Sequence, residues 1–244
     1  MTNKTIEYFP QVYARTAGAL YLLVILFGGF AEGFVMNTLV VSGDAAATAH
    51  NITAASGLWQ LSVAGNLIVP LIAVAQLWIE YLLLKPVSKN LSLLFALFSI
   101  VSLSVEAISK LFLLMVTHVL GGAGYGNILE PQQLYALSYI SLTAHDLSFN
   151  IALIFFGCSC ILEGYLIFMS GYLPRIVGIL MQLAGVSYLV ASFSALFATA
   201  FSTLITPAIL IPSLIGESSL SLWLLVKGVN VAKWNERVML GVAT

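Results

Sequence analysis

Residues 102–120 read SLSVEAISKLFLLMVTHVL and put Glu106, Lys110 and His118 inside an otherwise apolar run. Glu106 and Lys110 are spaced i,i+4 with the acid first, the favourable order for an ion pair along one helix. Other ionisable and amide side chains interrupt apolar runs in the same way: Glu32, Asn66, Glu217 and the cluster His145, Asp146 and Asn150, with Trp59 and Gln60 at the head of another run. An acid, a base and an imidazole held away from water can pair with one another, bind a polar ligand group or exchange protons, and carboxylate with His145 is the natural acid–base pair. Imidazole and carboxylate are also divalent-metal ligands. No H-x-x-x-H or H-E-x-x-H spacing occurs, so no metal or other cofactor is expected. Gly216-Glu217-Ser218-Ser219-Leu220 lacks the final glycine of a nucleophile elbow, and haem ligation by His118 and His145 or a Schiff base on Lys110 has no supporting motif.

The elements that must position these groups are membrane helices. The chain has 244 residues, 60% hydrophobic and only 8% charged. A water-soluble domain carries about 25% charged residues, so most of this surface must face lipid. Apolar runs long enough to cross about 30 Å of hydrocarbon recur along the chain. They predict one all-α domain over 1–244, a polytopic membrane bundle of six transmembrane helices at about 16–41, 57–84, 90–120, 145–170, 174–201 and 206–229. Segment 131–145 either extends the fourth helix or forms a separate one before it. Segment 42–56, small and Ala-rich, is expected to form a short surface helix.

Eight of the nine Lys and Arg residues (Lys4, Arg15, Lys85, Lys89, Arg175, Lys227, Lys233 and Arg237) fall on one side of such a bundle. The positive-inside rule then gives an N-in, C-in arrangement, with both termini cytoplasmic in a bacterial inner membrane. Lys110 is the exception. The expected depths bring Glu32, Glu106, Lys110, His145, Asp146 and Glu217 to one level, the outer half of the bundle, with Trp59 and Gln60 as a mouth. Ser99, Ser102, Glu106, Ser109 and Lys110 form one polar stripe and Ser213, Glu217 and Ser221 another, as a polar cavity or close helix contact requires. Pro70, Pro207 and Pro212 are expected to kink their helices. Glu80, one turn before Lys85, and Glu163 read as boundary residues at the basic rim. The four tryptophans read as interfacial anchors. Cys158 and Cys160 point to different faces of one helix and read as core residues.

The expected function is therefore a polar, acid-rich pocket that binds a small or lipid-like ligand. A proton-coupled carrier and a scaffold whose polar groups only fix helix packing are the alternatives. Partners are the lipid bilayer and that ligand, with no nucleic acid. No pair of similar halves, the usual transporter signature, is evident.

RTAGALYLL at 15–23, GDAAATAHNITAAS at 43–56, YLLLKPVSKNLSLL at 81–94, YLIFMSGYLPRIVGILMQLAGVSYL at 165–189 and GESSLSLWLLVKGVN at 216–230 together resemble a bacterial family of integral membrane proteins, DUF4386. SGYLPRIVGIL and the terminal LWLLVKGVN are the most specific blocks. The resemblance covers nearly the whole chain and implies six spans. It implies no activity and no catalytic residue.

Overall fold

The computed structural model describes residues 9–121, 124 and 128–242, with the side chains of 240–242 left aside. Lys4 lies outside the described residues. Every regular element among those described is helical. Helix α1 is Pro10–Leu39, α2 Ala45–Ala54, α3 Ser56–Leu84, α4 Lys89–Leu120, α5 Pro131–Ser170, α6 Arg175–Phe197, α7 Thr199–Ile205, α8 Ile211–Val226 and α9 Val231–Val242. Six helices, α1, α3, α4, α5, α6 and, with its preceding 3-10 turn, α8, are long and apolar enough to cross a membrane. Large apolar side chains such as Leu71, Ile108, Ile140, Phe197 and Leu214 are exposed on these helices, as hydrocarbon-facing surface requires.

The boundaries follow local chemistry. Asp44 caps α2 by accepting the Ala47 N–H at 2.8 Å. After α5, Gly171 takes φ 76° and Ser170 Oγ accepts the Leu173 N–H at 3.2 Å, so the chain reverses into Pro174 at the start of α6. Helix α5 is one continuous element of 40 residues, so 131–145 extends the fourth span. At 1.5 Å per residue it reaches about 60 Å. Pro70 lies within α3, whereas Pro207 follows a cis peptide in the turn before α8 and Pro212 occupies the first turn of α8. Neither of the latter two interrupts a helix, because an N-terminal proline forfeits no intrahelical bond. Helix α1 changes character midway: Gly29–Met36 is π-helical.

The chain forms two compact units. The larger comprises Met1–Ile25, Ile72–Leu103 and Asn150–Thr244. Its core gathers Tyr21, Leu83, Leu166, Met181, Leu220 and Trp234. Here α5 and α6 run antiparallel in close contact through facing glycines. A Cβ built on Gly164 would lie 2.5 Å from the Gly178 carbonyl oxygen, and one on Gly185 would lie 2.5 Å from that of Gly157. Apolar side chains gain nothing by leaving lipid, so close backbone approach of this kind is what joins membrane helices. Helix α9, absent from the sequence expectation, packs Trp234 into this core, where its Nε1–H donates to the Leu83 carbonyl at 3.4 Å. The Tyr172 hydroxyl donates to the same oxygen at 2.6 Å. The α3 end thus has one of its orphan carbonyls satisfied by two side chains.

The smaller unit comprises Leu26–Leu71 and Ser104–Phe149, with Val35, Trp59, Leu113, Val116 and Leu142 at its core.

Candidate functional site

Three helices of the smaller unit each bring part of one charged cluster. Helix α4 supplies Glu106 and Lys110, one turn apart. Helix α5 supplies His145 and Phe149, also one turn apart. Helix α1 supplies Glu32 from the π-helical segment. The wider π turn changes the direction of side chains relative to the α-helix before it, and such insertions recur at functional sites.

Lys110 is fully buried. Its Nζ donates to Glu32 Oε1 at 3.0 Å and lies 3.7 Å from Glu106 Oε1. The ammonium also sits over the Phe149 ring, 4.3 Å from the centroid, which adds a cation–π contact. A buried ammonium persists only with such compensation.

His145 is equally buried and held at both nitrogens. Its ring stacks on Phe149 at 5.7 Å and 16°. Nδ1 lies 3.1 Å from the Ser109 carbonyl oxygen. A carbonyl can only accept, so Nδ1 carries a hydrogen. Nε2 lies 3.3 Å from Glu32 Oε1 and 3.4 Å from Oε2. A hydrogen bond there requires a second proton, on Nε2 or on the carboxyl. The cluster thus sets an imidazole nitrogen against a carboxylate within hydrogen-bond reach. The carboxylates are its more open side: their side chains are 23% and 16% exposed, against none for Lys110 and His145.

The remaining sequence candidates lie as follows. Asp146 is exposed and within electrostatic range of His145 and Glu32. Asn66 is buried on α3, one turn after Ser62, whose hydroxyl donates to the Ala31 carbonyl at 3.5 Å. Its Nδ2 has no hydrogen-bond partner. Gln60 is exposed, but Trp59 is 98% buried in the core of the unit and donates from Nε1 to Thr117 Oγ1 at 3.0 Å. The expected mouth is thus half a core contact, and the expected anchor role fails for Trp59 and Trp234 alike. Both indole N–H groups find partners inside, which removes the reason to stay at an interface. His118 is exposed and turned back on its own helix, its Nδ1 2.8 Å from the Leu114 carbonyl.

Asn150 and Glu217 belong to the larger unit. Glu217 is buried and accepts the Tyr188 hydroxyl. Glu80 and Glu163, read from sequence as rim residues, are buried as well. Glu80 accepts from Gln76 Nε2 at 3.0 Å, and all three carboxyls lie within electrostatic range of Tyr21 and Cys160. Sequence reasoning missed this group. Its signals were polar residues one turn from each acid: Gln76 before Glu80, Cys160 before Glu163, Ser213 and Ser221 around Glu217. Among the described residues, no three His, Cys, Asp or Glu side chains are gathered as metal ligands.

Residues 16–228 match the family described as a domain of unknown function, DUF4386. The match spans most of the chain, and the chain belongs to this family. No curated protein and no solved structure matches it.

Proposed function

We propose that this multi-pass protein of the bacterial cytoplasmic membrane binds a small or lipid-like ligand at Glu32, Glu106, Lys110 and His145. The observation that carries the reading is the fully buried Lys110 ammonium, held 3.0 Å from Glu32 and 3.7 Å from Glu106, with the partly open carboxylates beside it. Buried ionisable groups are costly in a membrane helix and mark sites of function more often than sites of packing. A polar head group with hydrogen-bond donors would engage the carboxylates, and the Glu32–His145 pair would hand it a proton or take one.

The test is native mass spectrometry of the purified protein. The wild type is expected to carry a co-purifying small molecule that E106Q and E32Q lose. A wild type that carries nothing overturns the reading and favours the scaffold role.

A proton-coupled carrier is the second reading. It is favoured by the 3.3 Å approach of His145 Nε2 to Glu32 Oε1, two groups that exchange protons readily. Proteoliposomes that acidify or alkalinise on addition of a solute gradient, and cease to in H145N, would decide for it.

The proposed topology places both termini in the cytoplasm, from Arg15, Lys85, Lys89, Arg175, Lys227, Lys233 and Arg237. With Cys158 and Cys160 replaced by Ala, an impermeant thiol reagent applied to whole cells should label A46C and spare N90C. The opposite pattern reverses the orientation.

A further inference from the structure

One end of the larger unit is tied together by bonds between segments far apart in sequence. The Leu83 carbonyl at the end of α3 accepts from the Tyr172 hydroxyl at 2.6 Å and from Trp234 Nε1 at 3.4 Å. The Asn230 N–H donates to the Tyr172 carbonyl at 3.0 Å. Gln11 of α1 donates from Nε2 to the Lys227 carbonyl at 2.7 Å, and its Oε1 accepts the Val229 N–H at 3.1 Å. The start of α1, the end of α3, the turn before α6, the end of α8 and the start of α9 thus meet in one bonded junction. Lys85, Arg175, Lys227, Lys233 and Arg237 each belong to it or stand within three residues of a bonded member.

Among the described residues the ion pairs belong to Lys110 and His145, and no carboxylate lies within ion-pair distance of these five basic groups. Glu236, the one acid of α9, joins none of them. Lys85 and Arg237 are half-buried, and the other three are exposed. Arg237 lies one turn after the buried Trp234, and its Nε is buried with no hydrogen-bond partner. A guanidinium so placed calls for an anion whose oxygens its planar fork can meet, and phosphate is a common one. The surroundings add hydrocarbon. Ile176 and Val226, the sequence neighbours of Arg175 and Lys227, are 59% and 61% exposed on helices long and apolar enough to cross a membrane. Phosphate beside hydrocarbon is the composition of a phospholipid. A head group with its own ammonium would bring a further cation to five others, so a net anionic head group fits this junction.

We propose that Arg237 and Lys85 hold the head-group phosphate of an anionic phospholipid at this junction, with Arg175, Lys227 and Lys233 adding to the positive field around it. The Arg237 side chain turns its orphaned Nε–H to a phosphate oxygen. The acyl chains lie against the exposed apolar side chains of the spans that end here. The site is independent of the reading of Glu32 and His145, which concerns the smaller unit, and of the side of the membrane that the junction faces.

The test follows thermal unfolding of the full-length protein in neutral detergent as dioleoylphosphatidylglycerol is added, with dioleoylphosphatidylcholine and inorganic phosphate as comparison arms. The wild type should show a saturable rise in midpoint with phosphatidylglycerol and little with the other two. R237M and K85M should each raise the half-saturating concentration about fivefold, the weight of one basic group at a lipid surface. R237K should recover part of that loss. K89Q, which removes an exposed charge from the start of α4, should stay within about twofold of wild type. Gel filtration establishes that each variant is monodisperse, and K85M alone carries the test if R237M misfolds. The proposal is overturned by a wild type without a saturable response, or by an equal response to phosphatidylcholine or inorganic phosphate. Unchanged half-saturation in the monodisperse R237M and K85M, or an equal loss in K89Q, overturns it too.

Discussion

Lys110 Nζ lies nearer to Glu32, on a different helix, than to Glu106, one turn away on its own: 3.0 Å against 3.7 Å. The i,i+4 pair legible in the sequence is therefore the weaker contact, and the cluster joins α4 to α1 rather than neutralising one helix privately. His145 completes it from α5. Removing the central cation would strand two carboxylates. K110M is expected to destabilise the protein by about 3–5 kcal/mol, the usual cost of breaking a buried pair from one side. K110M combined with E32Q and E106Q should recover most of that loss. Reversible unfolding in mixed micelles measures both, and a K110M variant as stable as wild type would show that Lys110 is not compensated by these acids.

The glycine contacts between α5 and α6 give a second prediction. G164A places a methyl 2.5 Å from the Gly178 carbonyl oxygen, where only backbone can yield. The helices must move apart, and overpacking of this kind costs about 1–3 kcal/mol. G178A should behave alike. G57A, on α3, meets nothing within 4 Å and should stay within about 0.5 kcal/mol of wild type. Thermal denaturation in detergent separates the two classes, and equal midpoints for G164A and G57A would refute the close approach.

The spans were legible because lipid leaves little choice: a crossing helix needs a long apolar run, and Lys85-Pro86 and Gly171 through Pro174 end theirs by ordinary backbone chemistry. What was not legible has physical causes too. The π-helical turn at Glu32 is announced by no propensity, since its residues read as an ordinary apolar run. Trp59 and Trp234 looked like anchors because their positions near span ends do not reveal the inward partners Thr117 and Leu83. Glu163 looked peripheral by depth alone. Glu80 and Glu217, which act on it electrostatically, come from helices distant in sequence, and spacing along one chain gives no sign of that juxtaposition. Helix α9, short and bearing Lys233, Glu236 and Arg237, was hidden by its resemblance to a polar tail.

That last helix is tied down at Leu83, which yields a third prediction. Y172F removes the 2.6 Å donor and leaves the Trp234 bond, so it should cost about 1 kcal/mol. W234A empties a site 1% exposed and should cost about 3–5 kcal/mol. The pH dependence has a definite sign. Burial holds the Tyr172 phenol well above its ordinary range. Below about pH 10 the phenol is neutral in both folded and unfolded chains. Above that, the unfolded chain releases a proton that the folded chain retains, so stability falls as pH rises. The alkaline decline should be shallower in Y172F than in wild type, and identical slopes would place Tyr172 in water.

The hydrogen-bond logic at His145 is open to direct observation. Nδ1 faces the Ser109 carbonyl and must carry a proton, whereas Nε2 faces Glu32. Nitrogen NMR of protein labelled at histidine should show His145 Nδ1 protonated in the folded protein. The exposed His118 also donates from Nδ1, to Leu114, but as a surface ring it should exchange its protons with water far faster. H145N preserves a donor near the Ser109 carbonyl and deletes the group facing Glu32. It should keep the fold, with loss of stability of about 1–3 kcal/mol from the buried contact. A His145 found protonated only at Nε2 would reverse the ring and remove the imidazole from any proton exchange with Glu32.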